Sequence, residues 1–95
     1  MGADMAKIYY TALKVEHRIA TSNELLRAGM LLKVAKWKDG LVRCTELYSD
    51  RSLKKVGGAT YFFTPDVCRS LMLKPSRDLD AVIEQSIMIC EATYC

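Results

Sequence analysis

The chain has 95 residues, of which 51% are hydrophobic and 26% are charged, and its formal net charge is +3. This length accommodates one small domain, and the balance of apolar and charged residues is typical of a soluble globular protein, which excludes a disordered chain. No apolar run approaches a membrane span and the first residues lack a signal-peptide core, so we expect no membrane partner and a cytoplasmic location. We expect residues 1–95 to form a single domain, with residues 1–6 as a flexible N-terminus.

Positive charge is concentrated in the middle third of the chain. Residues 27–55 hold eight Lys and Arg side chains against three Asp and Glu, whereas residues 1–26 are neutral and residues 66–95 carry a net charge of −2. A solvated surface is the ordinary explanation for such an excess, and an anionic partner is the functional one.

The N-terminal half begins with a pattern typical of a strand. A strand is predicted from Tyr9 to Ile19, because apolar and polar residues alternate there, and the clean alternation from Leu13 onward indicates one solvent-exposed face. A short helix is predicted next, because Thr21 can cap its first turn and Glu24 completes a capping box. Gly29 weakens this helix, so we expect it to end near residues 29–31.

The strongest local signal is the Asp39-Gly40 pair between two apolar-rich runs. Both residue types tolerate the positive φ angles of a tight turn, which predicts a β-hairpin. With a two-residue loop, Trp37 lies opposite Val42 and Lys36 lies opposite Arg43, so that Trp37 is packed and like charges face each other. The alternative for Trp37, which lies between two lysines, is an exposed aromatic and basic surface for a nucleic acid. With a three-residue loop that includes residue 38, Lys36 lies opposite Val42 instead. We prefer the two-residue loop because it separates apolar from charged residues near the turn.

Four further segments follow the hairpin. Residues 51–56 form either a helical turn or a basic loop, and residues 59–63 form an aromatic strand. Thr64 and Pro65 predict a helix that runs to about Leu73, because the residue before a proline avoids the helical region. Apolar residues at helical spacing predict a last helix from about residue 77 to about residue 92, although residues 87–90 could instead form a strand.

Together these elements predict an α+β fold. We expect a small antiparallel sheet of three to four strands, with the Asp39-Gly40 hairpin at its centre and two to three helices packed on one of its faces. The apolar last helix, from Ile83 to Ile89, is the candidate surface for a homodimer or another partner.

Catalytic and metal-binding signals are weak. The four cysteines are Cys44, Cys68, Cys90 and Cys95. Because they lack the close spacing of metal ligands, we expect reduced thiols and predict no metal, no cofactor and no disulfide. His17 with a cysteine is the remaining catalytic candidate, and we rank it last.

We therefore predict a non-enzymatic binding or inhibitory module that acts by protein–protein interaction, with a basic hairpin face for an anionic partner. The partner is an acidic protein surface or a nucleic acid. The alternatives are a nucleic-acid-binding regulatory protein and an inhibitor of a host system, of the kind that phages and plasmids encode. The predicted partner-binding residues are Lys36, Lys38, Arg43, Arg51, Lys54 and Lys55.

Overall fold

The computed structural model describes residues 8–47 and 58–94, which form a four-stranded antiparallel sheet, a two-stranded sheet and two helices. The mixed α+β class predicted from the sequence is thus confirmed. The predicted N-terminal segment 1–6 and the alternatives for residues 51–56 lie outside the described residues. The elements are β1 (Tyr9–Ala12), β2 (His17–Arg18), β3 (Leu25–Leu26), β4 (Leu31–Lys36), β5 (Val42–Leu47), β6 (Thr60–Phe63), α1 (Pro65–Leu71) and α2 (Leu79–Tyr94).

The larger sheet has the strand order β1-β4-β5-β6, and each neighbouring pair is antiparallel. Because side chains alternate along a strand, the register assigns every residue to one of two faces. The first, which we call the core face, carries the main cluster of buried side chains from the sheet: Leu32, Val34, Cys44 and Tyr61. The opposite face carries a smaller cluster around Ala12, Leu31 and Val82.

The two helices pack on opposite faces of this sheet, so the expectation that they share one face is wrong. Cys68 and Leu71 of α1 pack against the core face. Val82 of α2 packs with Ala12 and Leu31 on the other face. The physical reason lies in β4, where Leu31 and Leu32 are both buried and point to opposite sides, so each side requires its own cover.

The hairpin between β4 and β5 has the three-residue loop, not the preferred two-residue loop. The N–H of Trp37 donates to the carbonyl of Leu41 at 2.8 Å, and Ala35 is the residue opposite Arg43. Asp39 and Gly40 adopt positive φ angles of 63° and 77°, as their sequence predicts. The register that forms places Lys36 opposite Val42, so the predicted pairing of Lys36 with Arg43 is absent.

The predicted helix after residue 21 is also wrong, because the chain forms the β2–β3 hairpin there. Asn23 has a φ of 59°, which a helix does not accommodate, and the N–H of Ile19 donates to the carbonyl of Glu24 at 2.8 Å. Leu26 is fully buried whereas Leu25 is 42% exposed, which is the alternation of a strand. Leu26 joins the core face cluster, and this tertiary contact overrides the local capping signal.

Both C-terminal helices form where the sequence predicts them. The hydroxyl of Thr64 accepts a hydrogen bond from the N–H of Val67 at 3.3 Å, and Pro65 occupies the first turn of α1. The helix ends at Leu71, because Met72 forms a β-bridge with Leu13. Residues 79–94 are helical throughout, which excludes the alternative of a terminal strand at 87–90.

Candidate functional site on the open sheet face

Helix α2 covers only part of the face on which it packs. It contacts β1 and β4, whereas the side chains nearer to β6 and to the hairpin turn are exposed or half-buried. We call this uncovered area the open face. Its residues are Lys33, Ala35, Trp37, Arg43, Thr45, Thr60 and Phe62.

Three side chains of the open face form a compact cluster, which we call the aromatic–arginine cluster. The guanidinium carbon of Arg43 lies 4.8 Å from the centre of the Trp37 ring system. The rings of Trp37 and Phe62 have centres 5.8 Å apart and are tilted by 51°. Trp37 is 40% exposed and Phe62 is 47% exposed, so both rings present substantial apolar area to solvent.

The backbone explains why these residues meet. Trp37 has extended dihedral angles (φ −125°, ψ 168°), so it continues the alternation of β4 and places its side chain on the face of Ala35. Arg43 lies directly opposite Ala35 on one side and Phe62 on the other. From this position opposite the small side chain of Ala35, the long side chain of Arg43 reaches the ring of Trp37.

The open face is electropositive. Its charged members are Lys33 and Arg43, and it contains no Asp or Glu. A cation over an aromatic face is attracted by the negative potential of the ring, which contributes about 0.5–1 kcal/mol at an exposed site. The guanidinium retains unused N–H donors, since contact with a ring face does not satisfy them. The surface therefore offers positive charge, hydrogen-bond donors and flat apolar rings within a small area.

The predicted partner-binding residues separate in the structure. Arg43 lies on the open face, whereas Lys36 is exposed on the opposite side of the same sheet and Lys38 is exposed in the turn. The remaining three lie outside the described residues: Arg51, Lys54 and Lys55.

The preferred interpretation of Trp37 from the sequence, a packed side chain, is wrong, because Trp37 is 40% exposed. Trp37 was expected to be packed with Val42, but the register places Val42 on the core face and Trp37 on the open face. Phe62 and Lys33 are not among the partner-binding residues predicted from the sequence. An available signal was the run Tyr61-Phe62-Phe63, because a strand cannot bury three consecutive aromatic side chains on one face.

The environment of Cys44 does not favour nucleophilic chemistry. Cys44 is fully buried, and burial together with the neighbouring Cys68 raises its pKa to about 12. A thiol with so high a pKa stays protonated and is a poor nucleophile. His17 packs edge-to-face against Phe63 with ring centres 5.8 Å apart. In the part of the chain that the structure describes, no three His, Cys, Asp or Glu side chains cluster in a way that could hold a metal ion.

The predicted partner surface on the last helix is divided. Ile83 and Ile89 pack against the smaller cluster beneath α2, whereas Ile87 is 52% exposed and Met88 is 65% exposed. Within residues 8–47 and 58–94, no helix combines the length and the hydropathy needed to cross a bilayer.

Comparison of the chain with protein-family models, with curated proteins and with solved structures found no match.

Proposed function

We propose that this protein is a non-enzymatic binding module that contacts an anionic partner through the open face. The observation that carries the proposal is the aromatic–arginine cluster, in which Arg43 lies over Trp37 beside the exposed ring of Phe62. Lys33 adds a second positive charge on the same face. The proposed basic contact therefore consists of Arg43 and Lys33, which share the open face, and no longer includes Lys36, which lies on the other face.

The composition of the cluster supports binding. Trp and Arg are the residue types that most often dominate binding energy, because a flat ring gives a large contact area at low entropic cost and a guanidinium forms directed hydrogen bonds. In the free protein, Trp37 is 40% exposed and Phe62 is 47% exposed. Burial of this apolar area against a partner is favourable. In contrast, Cys44 lies in the core and Cys68 packs against it, and burial raises the pKa of both thiols.

The same surface could serve an inhibitor that occludes an acidic site on a larger protein, as the phage- or plasmid-type alternative requires. Pairing of two copies through Ile87 and Met88 of α2 is a separate candidate, because both side chains are exposed there. The native mass of the purified protein decides whether two copies associate.

The proposal is tested by charge reversal on the open face. We expect Lys33→Glu/Arg43→Glu to bind fluorescein-labelled heparin, a polyanion without bases, much more weakly than the unaltered protein. Each cation that contacts the polyanion releases about one counterion. The negative slope of log affinity against log salt concentration should therefore become shallower by about 2 in this variant. Fluorescence anisotropy at several salt concentrations measures both quantities.

A matched variant controls for net charge. Lys14→Glu/Lys74→Glu makes the same change in net charge at two exposed lysines that lie outside the open face. We expect this variant to keep most of the affinity and the original salt slope. Equal losses in the two variants would contradict the proposal, because binding would then depend on net charge and not on this surface.

A further inference from the structure

We infer that the anionic partner is a single-stranded nucleic acid, whose bases stack on Trp37 and Phe62 while its phosphates contact Arg43 and Lys33. This inference rests on the proposed function and names the partner of the same surface. It adds a requirement that charge alone does not impose, namely that the partner must present flat aromatic faces.

The two rings are arranged to accept bases on their outer surfaces. A base held between two rings needs two stacking intervals of about 3.4 Å, or roughly 7 Å in total. The centres of Trp37 and Phe62 are only 5.8 Å apart and the rings are tilted by 51°, so no base fits between them. Each ring is nevertheless 40–47% exposed, and stacking on such an exposed ring is open to every base type.

Cations and hydroxyl groups surround the rings. Arg43 lies directly opposite Phe62, and Lys33 lies one side-chain position along the same face. Thr45 and Thr60 are paired beside them and contribute hydroxyl groups. The open face has no Asn, Gln, Asp or Glu, which are residue types that read base edges together with Arg and Lys. We therefore expect binding with little sequence preference.

The shape of the surface disfavours a duplex. A major groove admits a helix or a two-stranded ribbon. The open face belongs to a four-stranded sheet in which β4 and β5 are flanked by β1 and β6, and the described residues present no helix on it. In a duplex the faces of the bases are already stacked on one another, so the rings of Trp37 and Phe62 would gain nothing from them. An unpaired strand offers its bases and its phosphates to the surface together.

An acidic protein surface matches the open face less well. Stable protein interfaces bury about 800 Å² on each partner around a predominantly apolar centre. The apolar members of the open face are Ala35, Trp37 and Phe62, and the rest are cations and threonines. This mixture suits a narrow polyanion that carries its own aromatic groups.

The experiment compares two ligands that differ only in their bases. A labelled twelve-nucleotide oligothymidine and an abasic oligonucleotide of equal length carry the same phosphates. We expect the full chain to bind oligothymidine at least about fivefold more tightly than the abasic strand, because stacking on each ring contributes to the former only. Trp37 is the one tryptophan of the chain, so quenching of its fluorescence reports stacking directly.

Substitutions then assign the preference to the rings. Phe62→Leu and Trp37→Leu, read by anisotropy of the labelled strands, should each reduce the preference for oligothymidine over the abasic strand. Met88→Leu removes no ring and alters an exposed side chain of α2, so it should leave the preference unchanged. Circular dichroism and thermal melting establish that each variant is folded.

The outcomes separate this inference from the proposed function. Equal binding of both strands without fluorescence quenching, together with heparin binding that depends on Lys33 and Arg43, overturns the inference alone. Binding of polyglutamate with no binding of either oligonucleotide also overturns it, in favour of an acidic protein. Failure to bind any of these polyanions overturns both.

Discussion

At the scale of single residues, Cys44 has the most perturbed chemistry among the described groups. Its side chain is fully buried at the centre of the core face, next to the thiol of Cys68. Burial is the main cause that raises the pKa of Cys44 to about 12 from an ordinary 9.0, and burial also raises the pKa of Cys68. The folded protein therefore holds the Cys44 proton at pH values where the unfolded chain releases it.

This difference predicts a loss of stability at alkaline pH. Between pH 9 and pH 12 the unfolded state binds fewer protons at Cys44 than the folded state, so the free energy of unfolding should fall as the pH rises through this range. Below pH 9 the contribution is fully present. Urea denaturation at pH 8 and pH 10.5 measures the change in stability.

Cys44→Ala is the control for this prediction. The variant should be less stable at pH 8, because it leaves a cavity, but it should lose less stability between the two pH values than the unaltered protein. Equal losses in the two proteins would show that Cys44 does not govern the loss of stability at alkaline pH.

At the scale of elements, α2 is fixed to the loop before β4 by a row of side chains at helical spacing. The hydroxyl of Ser86 donates to the carbonyl of Gly29. One turn later, the thiol of Cys90 lies 3.6 Å from the carbonyl oxygen of Ala28. After another turn, the hydroxyl of Tyr94 accepts a hydrogen bond from the N–H of Ala28 at 2.9 Å. Gly29 is required at this contact because its φ is +88° and a Cβ there would lie 2.3 Å from the Cys90 sulfur.

Two glycine substitutions separate backbone strain from this contact. Gly40→Ala should cost about 1–2 kcal/mol, because Gly40 also has a positive φ of 77° but has nothing within 4 Å of a new Cβ. Gly29→Ala should cost about 1–3 kcal/mol more, since the new methyl group overlaps the Cys90 thiol and lies 3.0 Å from the carbonyl oxygen of Ser86, so that the thiol must turn away or α2 must shift. Chemical denaturation of both variants measures the difference in the free energy of unfolding.

A double variant identifies the atom responsible. Adding Cys90→Ala to Gly29→Ala removes the sulfur that the methyl group would meet, and we expect part of the extra loss to be recovered. If Gly29→Ala and Gly40→Ala had equal costs, the close approach of α2 to this loop would be refuted.

The hairpin shows which part of an element its sequence can predict. Local chemistry was sufficient for the positive φ angles of Asp39 and Gly40 and for the cap at Thr64. The residues beside the turn do not determine the register. Leu32 and Val34, further along β4, decide it: the observed register places them on one face with Cys44, where all three are buried.

At the scale of the whole molecule, the candidate site joins the β4–β5 hairpin to β6, a strand that is distant from the hairpin in the sequence. Trp37 follows β4, Arg43 is in β5 and Phe62 is in β6. The fold class was predictable, because strands and helices carry their own periodicities. The meeting of these three side chains was not, since it depends on the strand order and on two registers that only the packed core selects.

Positive and negative side chains are unevenly distributed between the open face and α2. Lys33 and Arg43 lie on the open face, whereas α2 carries Asp80, Glu84 and Glu91 and no Lys or Arg. If the proposed function is correct, we expect an anionic partner to be attracted to the open face and repelled from α2. We also expect added salt to weaken this effect.

Chemical-shift mapping by NMR tests most directly whether the open face is the binding surface. Titration of the ¹⁵N-labelled protein with a heparin-derived hexasaccharide should shift the amide signals of Lys33, Arg43 and Phe62 and the indole signal of Trp37, while those of Ile87 and Met88 on α2 remain in place. Shifts that leave these open-face signals unchanged and gather elsewhere on the chain would contradict the account.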